Sequence, residues 1–271
     1  MIIRARIRQT RFLAGASILA IVVLITACAS WVSDYDPDAQ IDPQTTRLQS
    51  PSPAHLLGTD QFGRDVFTRI LHGGRISLFI ALSVMALAVI VGTLCGTVAG
   101  YLGGGLDSVL MRIVNLFLAF PLIFIVATCI ALFGQSLFWL ILILALTGWM
   151  DIARLVRAEV QALKNSAFIL RARATGLPTW RIFLRYLIPG VAATITAVAV
   201  LRAADIILIE SALSFLGLGV QPPTASWGAI LKDGRAFLAS AWWISLFPAI
   251  AIILTTLGLY LIGEGLKSEK S

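Results

Sequence analysis

The run ISLFIALSVMALAVIVGTLCGTVAG, residues 76–100, contains no charged side chain. A helix needs about 20 mainly apolar residues to cross the roughly 30 Å hydrocarbon core of a bilayer, so this run predicts a membrane span. Gly92, Gly96 and Gly100 recur every four residues and therefore share one face of the helix. Glycine on that face lets a second helix approach backbone to backbone, which indicates tight packing inside the membrane.

The whole chain of 271 residues has this character, with 58% hydrophobic and 13% charged residues. Soluble domains average about 45–50% apolar and about 25% charged residues, so the composition excludes a soluble fold. Five more apolar runs predict an all-α polytopic membrane protein with six transmembrane helices. The predicted spans are residues 12–32, 76–100, 113–133, 137–150, 191–216 and 242–262. Pro121 and Pro248 predict kinks, and the short fourth span is expected to continue beyond Asp151.

Charge asymmetry orients these spans. Four arginines and no acid precede the first span, whereas residues 34–74 hold six acids against three arginines. Residues 151–189 hold seven basic residues against two acids. The positive-inside rule therefore places both termini and the 151–189 segment in the cytoplasm. This bias also accounts for most of the net charge of +7 without a nucleic-acid partner.

The predicted organisation follows from these assignments. Residues 1–11 form a cytoplasmic tail, 12–33 the first transmembrane helix and 34–75 an extracytoplasmic segment. Residues 76–265 form a five-helix core that includes a cytoplasmic hairpin at 151–189 and an extracytoplasmic loop at 219–241. Residues 266–271 form a second cytoplasmic tail that contains Lys267 and Lys270.

The N-terminus has one competing interpretation, because basic residues, an apolar run and the letters ITAC resemble a lipoprotein signal that ends at Cys28. The apolar run continues past Cys28, which favours an uncleaved span. Cys28, Cys95 and Cys129 all lie in apolar runs without a CxxC pair, so they are interpreted as packing residues and no metal site is expected.

Three charged residues interrupt the fifth span, namely Arg202, Asp205 and Glu210. A charge at bilayer depth costs roughly 2.5–3.5 kcal/mol on insertion scales, so each must face protein or water. Arg202 and Asp205 are three residues apart and can pair on one helical face. Glu210 needs a different partner, which another chain could supply. These residues either fix the packing of the bundle or line a polar translocation path.

The basic segment before the fifth span predicts a helix–turn–helix hairpin. The spacing in DIARLVRAEVQALK, residues 151–164, suits an amphipathic helix that leaves the bilayer. Ser166 can cap a second short helix, which Gly176 can end in a left-handed conformation. Pro178 then enforces a turn, and Pro189 suits the first turn of the fifth span. The hairpin either lies on anionic lipid or binds a cytoplasmic partner.

Three stretches of the sequence carry a family resemblance. The hairpin resembles the EAA loop of importer permeases, with Leu170, Arg171 and Ala172 at the E-A-A positions, although the glutamate is absent. HLLGTDQFGRDVFTRILHGGRISL at 55–78 and ESALSFLGLGVQPPTASWG at 210–228 resemble the segment before span two and the exit of span five. Together they resemble the dipeptide/oligopeptide/nickel family of type I ABC-importer permeases, in particular the second of its two paired permeases.

The resemblance implies a transport function without catalysis in this chain. A second permease, two ABC ATPase subunits that bind ATP and Mg, and an extracytoplasmic solute-binding protein are the implied partners in the bacterial inner membrane. The coupling helix would lie around 168–176. Its implied hairpin residues are Phe168, Leu170, Arg171, Ala172, Arg173, Gly176, Pro178 and Pro189. The expected cargo is a di- or oligopeptide, with nickel or glutathione-like solutes as alternatives within the family and an ion-coupled secondary transporter as the alternative class.

The extracytoplasmic side has its own candidates for the docking or gate surface. They are Gly58, Asp60, Gly63, Arg64, Asp65 and Trp227. The glycines suit backbone turns. Arg64 and Asp65 are either a local ion pair or part of the docking surface, and Trp227 suits an interfacial aromatic ring.

Overall fold

The computed structural model describes residues 2–40 and 43–266, which form helices and loops with no β-strand among them. In chain order the α-helices are α1 (Ile2–Ala27), α2 (Ala29–Val32), α3 (Pro43–Thr46), α4 (Val66–Leu102), α5 (Gly104–Leu118), α6 (Leu122–Phe133), α7 (Leu137–Leu163), α8 (Ala167–Ala174), α9 (Thr179–Ile182), α10 (Ile188–Phe215), α11 (Trp227–Gly234) and α12 (Trp243–Leu266). A π-helical turn, Phe183–Leu187, joins α9 to α10, and a 3₁₀ turn, Arg235–Phe237, follows α11. The predicted positions Lys267 and Lys270 lie outside the described residues.

Five helical segments of the described chain are long and apolar enough to cross a bilayer. They are Arg8–Ala27, Val66–Leu102, Leu137–Leu163, Thr179–Phe215 and Trp243–Leu266. α5 and α6 pass the same test together, as a pair that is bent by 86°. α7 continues well past Asp151, as the sequence predicts.

The packing of α4 on α7 shows how the bent pair must run. A β-carbon added at Gly92 would meet the carbonyl oxygen of Trp149, and one added at Gly100 would meet that of Arg157. Because the contacts advance together along both helices, α4 and α7 run in the same direction. The chain between them must cross back, so α5 and α6 form the sixth span. The same contacts confirm that the glycine face is a helix-packing surface.

The end of the first span and the start of the second differ from the predictions. The first span ends at Ala27 rather than residue 32, because the guanidinium of Arg75 donates to the terminal carbonyls of Thr26 (2.8 Å) and Ala27 (2.6 Å). The second span begins at Val66 rather than 76, because the carboxylate of Asp65 caps the helix. The predicted extracytoplasmic segment 34–75 therefore includes the first turns of α4.

The third span breaks rather than bends gently. Proline disfavours the helical conformation of the residue before it, so α5 ends at Leu118 and a new helix begins after Pro121. Pro189 is accommodated differently, in the first turn of α10 as predicted. A proline ring clashes with the carbonyl four residues earlier in an α-helix. Here that position is Arg185, and the backbone around it is widened into the π-helical turn.

Both ends of the described chain lie on the same side of the bundle as the hairpin. Phe12 packs against Gly265, so α1 meets the end of α12 close to where its apolar part begins at Arg8. Gly263 in turn contacts Leu201 in the first half of α10. α12 thus ends on the side where the hairpin joins α10.

Candidate coupling and transport sites

The helix α8 presents two different faces. Ile169 and Ala172 are buried against the rest of the chain, while Phe168 and Leu170 are 47% and 49% exposed. Arg171 and Arg173 are also exposed. α8 therefore combines an anchored inner face with an outer face of apolar and basic side chains. That combination fits a surface that a partner covers.

The end of α8 is defined by two hydrogen bonds and a left-handed glycine. Leu177 N donates to Ala172 O (3.2 Å), and Gly176 N donates to Arg173 O (3.0 Å). Gly176 has φ +76°. Together these features form a Schellman motif, which satisfies carbonyls that the helix would leave unpaired. The predicted role of Gly176 as the helix terminator is confirmed, whereas Ser166 donates to Leu163 O (2.6 Å) and caps nothing through its side chain.

An aromatic contact, which no local sequence pattern indicates, joins α8 to α4 and to the π-helical turn before α10. Arg173 Nε donates to Tyr101 Oη (3.0 Å), and the guanidinium carbon lies 4.5 Å from the Tyr101 ring centroid. Tyr101 lies near the end of α4 and meets Phe183 of the π-helical turn edge-on, with centroids 5.0 Å apart. Through Tyr101, α8 is therefore connected to α4 and to the π-helical turn that precedes α10.

On the opposite side, the buried side chains of Asp60, Arg64 and Arg69 form a charged cluster with Asp233, which is partly exposed. Arg64 donates to Asp60 (2.7 Å) and to Asp233 (3.2 Å), and Arg69 lies 3.6 Å from each of these carboxylates. Burial raises the pKa of the Asp233 carboxyl above its ordinary value, while the guanidiniums of Arg69 and Arg64 act in the opposite direction. The cluster ties the loop that holds Asp60 and Arg64 to α4 and α11.

The expected Arg64–Asp65 ion pair is wrong. Asp65 instead accepts from the backbone N–H of Thr68 (2.8 Å) and contacts His55 Nδ1 at 2.9 Å. Gly58 and Gly63 adopt φ +76° and +74°, which confirms their predicted turns. Asp60, Arg64 and Asp65 are buried, so these candidates hold the shape of this end of the bundle from inside.

Trp227 and Glu210 are also interior residues. Trp227 is 1% exposed and donates through its indole N–H to Ile70 O (3.0 Å), so the predicted interfacial ring is wrong. Glu210 is fully buried and accepts from Ser214 (2.7 Å) and Ser77 (3.2 Å). Its partners, Ser77 and Ser214, lie in this chain, so the different partner that the sequence requires does not have to come from another chain. Glu210 packs α10 against α4 and lines no cavity described below.

Arg202 and Asp205 form the predicted pair, with nitrogen and oxygen 3.4 Å apart. Arg202 also contacts Asp151 of α7 at 3.0 Å, and Tyr260 of α12 donates to Asp205 (2.6 Å). Both additional partners come from other spans, so the spacing within span five could not indicate them. All three charged side chains line a cavity between the spans.

The comparison with known protein families agrees with this architecture. Residues 92–267 match the family described as the binding-protein-dependent transport system inner membrane component. The chain belongs to this family. It is a multi-pass membrane permease with the fold of type I ABC-transporter permeases. The resemblance that the three sequence motifs carry is thereby confirmed.

Individual relatives cover most of the permease. It is 35% identical over 264 residues to the oligopeptide transport system permease protein OppC of Haemophilus influenzae, covering 96% of this chain and 84% of that protein. The dipeptide transport system permease protein DppC of Alkalihalophilus pseudofirmus is 41% identical over 223 residues, covering 82% and 73%. The glutathione transport system permease protein GsiD of Pectobacterium atrosepticum is 35% identical over 264 residues, covering 97% and 87%.

Proposed function

We propose that this permease is one of two membrane subunits of an ATP-driven importer for di- or oligopeptides. Relatives named for dipeptide and oligopeptide transport, at 35–41% identity over most of the chain, support the substrate class. One relative is named for glutathione, a peptide-like solute, which keeps that cargo as an alternative. Nickel is the alternative within the family that the motifs resemble.

The observation that carries the proposal is the construction of α8. Its outer face exposes Phe168 and Leu170 beside two arginines, and one of these, Arg173, contacts Tyr101, whose ring in turn meets Phe183. A partner that seats α8 can move α4 and α10 through these contacts. The proposal assigns ATP hydrolysis and Mg binding to two partner ATPases and no cofactor to this chain.

The same proposal gives the orientation in the bacterial inner membrane. The hairpin and both termini lie in the cytoplasm, because residues 151–189 hold seven basic residues against two acids. The face built around Asp60, Arg64 and Trp227 then points outward, toward a solute-binding protein. The second permease completes the path between the two membrane subunits.

Co-purification with the proposed partners tests the coupling role. Leu170→Asp should release the ATPases from the complex in mild detergent, because it puts a carboxylate into an apolar contact. Leu132→Asp is the matched control, since Leu132 is 72% exposed near the other end of the bundle. Equal retention of the ATPases in both variants would contradict docking through α8.

Transport measurements test the energy source and the cargo. Proteoliposomes that contain the four-subunit complex and its binding protein should accumulate a labelled dipeptide only when ATP is supplied and the ATPase subunits can hydrolyse it. Uptake of labelled nickel or glutathione, without uptake of the dipeptide, would assign that solute as the cargo instead. Uptake that follows an ion gradient without ATPases would replace the proposal by an ion-coupled transporter.

A further inference from the structure

A cavity of about 280 Å³ lies between α4, α5, α6, α7 and α10. Its wall is mainly apolar and includes Met85, Phe117, Phe120 and Ile209. The break between α5 and α6 contributes Leu118, Phe120 and Leu122 to this wall, so irregular backbone borders the cavity. The volume is close to the lower limit of small-molecule sites, which is roughly 300 Å³.

One part of the cavity wall is charged. Among the described residues that line it, the ionisable ones are Asp151, Arg202 and Asp205. The two carboxylates share a single guanidinium, so the group carries one negative charge in excess when all three are ionised. The three side chains remain 38%, 43% and 35% exposed, so their ion pairs leave polar surface open.

The position of this cluster argues for a role beyond packing. Asp151 lies where α7 passes from its apolar half to its charged half, and Arg202 and Asp205 lie near the middle of α10. Partly exposed charges inside spans must face water or protein, and they commonly mark substrate pathways. Glu210 shows the contrasting arrangement, because it is fully buried with serine partners and meets no open space.

We propose that Asp151 and Asp205 form a transient binding site for the free amino terminus of a peptide in transit. The inference rests on the proposed peptide import. An α-ammonium group offers three N–H donors, and the excess carboxylate supplies the compensating charge. Arg202 holds the two carboxylates together, and the Tyr260 hydroxyl positions Asp205. The apolar wall can contact the side chains of the peptide without forming specific hydrogen bonds with them.

Competition within the cluster keeps the site weak. The ammonium group must share the carboxylates with Arg202, whose ion pairs reform when the peptide leaves. A translocation path that bound its cargo tightly would not release it. Carboxylates that are shared with Arg202 bind the ammonium group weakly enough for the peptide to pass. The apolar wall likewise fits peptides of varied sequence, since it discriminates by size and polarity alone.

The test uses the complete transporter in proteoliposomes with saturating loaded binding protein and labelled dialanine. The double variant Asp151→Asn/Asp205→Asn should lower the peptide imported per ATP hydrolysed at least fivefold, while ATP hydrolysis stays within twofold. Glu210→Gln is the matched control, because it removes a span-five carboxylate that is outside the cavity. It should leave both rates within twofold of the wild type.

A second cargo separates recognition of charge from a structural effect. An N-formylated dialanine, loaded on the binding protein to saturation, should cross the wild type and the double variant at equal rates. Unchanged coupling for dialanine, or parallel loss for both peptides, would overturn the inference. If the wild type itself fails to import peptide with ATP, the proposed function has failed instead. Tyr260→Phe, which keeps every charge, should give an intermediate loss for dialanine only.

Discussion

Arg173 of the hairpin contacts Tyr101 of α4 twice, through a 3.0 Å hydrogen bond and through its guanidinium over the ring at 4.5 Å. The hydrogen bond joins two atoms that are 72 residues apart in the chain. Tyr101 is buried while Arg173 is exposed, so the tyrosine is the fixed side of the contact. The pair links the candidate docking helix to the helix that packs most closely on α7.

Removing the ring should weaken this link. Tyr101→Ala deletes the hydrogen bond, the cation–π contact and the edge-on contact with Phe183. We expect import per ATP to fall about tenfold in proteoliposomes while the ATPases still co-purify. Tyr101→Phe keeps the ring contacts, which are worth about 0.5–2 kcal/mol, and should retain most transport. Loss of the ATPases in Tyr101→Ala would show that the contact shapes docking rather than transmission.

Backbone conformation gives a separate prediction at the end of α8. A β-carbon at Gly176 would meet no atom within 4 Å, so Gly176→Ala tests only the φ of +76°. The left-handed conformation costs about 1–2 kcal/mol for an L-residue, and thermal stability in detergent should fall accordingly. Gly105→Ala also meets open space but lies in a helix without positive φ. That control should be neutral or stabilising by up to about 1 kcal/mol.

The glycine face of α4 predicts a steric effect. A β-carbon at Gly96 would contact the Ala153 carbonyl oxygen at 2.6 Å, so α4 and α7 would have to separate. Overpacking of this kind costs about 1–3 kcal/mol, and Gly96→Ala should lower the unfolding temperature. Gly148→Ala on the facing helix meets Ala88 at an ordinary 3.6 Å and should change it little. Equal effects of the two substitutions would argue against close packing at Gly96.

The cost of removing a charge around Arg64 and Arg69 should depend on how deeply that charge is buried. Asp60→Asn leaves Arg64 and Arg69 short of one buried carboxylate, and breaking a buried pair costs about 3–5 kcal/mol. Asp38→Asn is the control, since Asp38 is 44% exposed and lies 3.7 Å from Arg69. An exposed pair contributes at most about 1 kcal/mol. Denaturation in detergent measures both, and a small effect of Asp60→Asn would contradict the structural role of the cluster.

Local sequence rules predicted the features that depend on local geometry. Gly92 and Gly96 share a face because the helical period fixes it, and Gly176 ends α8 because glycine tolerates positive φ. The number of spans follows from the length and polarity of the apolar runs. Each of these needs only residues that are close together in the sequence.

Features that depend on distant partners were mispredicted or missed. Arg64 pairs with Asp233, which is 169 residues away, rather than with its neighbour Asp65. Trp227 lies inside because Ile70 offers a carbonyl there, which no property of the surrounding loop indicates. The sequence places Asp151 at the edge of a span, yet Asp151 forms an ion pair with Arg202 because the packing of α7 and α10 brings them within 3.0 Å. Sequence spacing allows several partners for each of these residues, and tertiary packing determines which of them is contacted.

The π-helical turn Phe183–Leu187 sets the rotational phase between the hairpin and the fifth span. A π turn contains about one residue more than an α turn, which shifts the following side chains by about 100° around the axis. A deletion of one residue here would restore regular winding and rotate α8 and α9 relative to Arg202 and Asp205. This turn therefore decides which side of the hairpin points away from the bundle when the charged side of α10 faces the cavity.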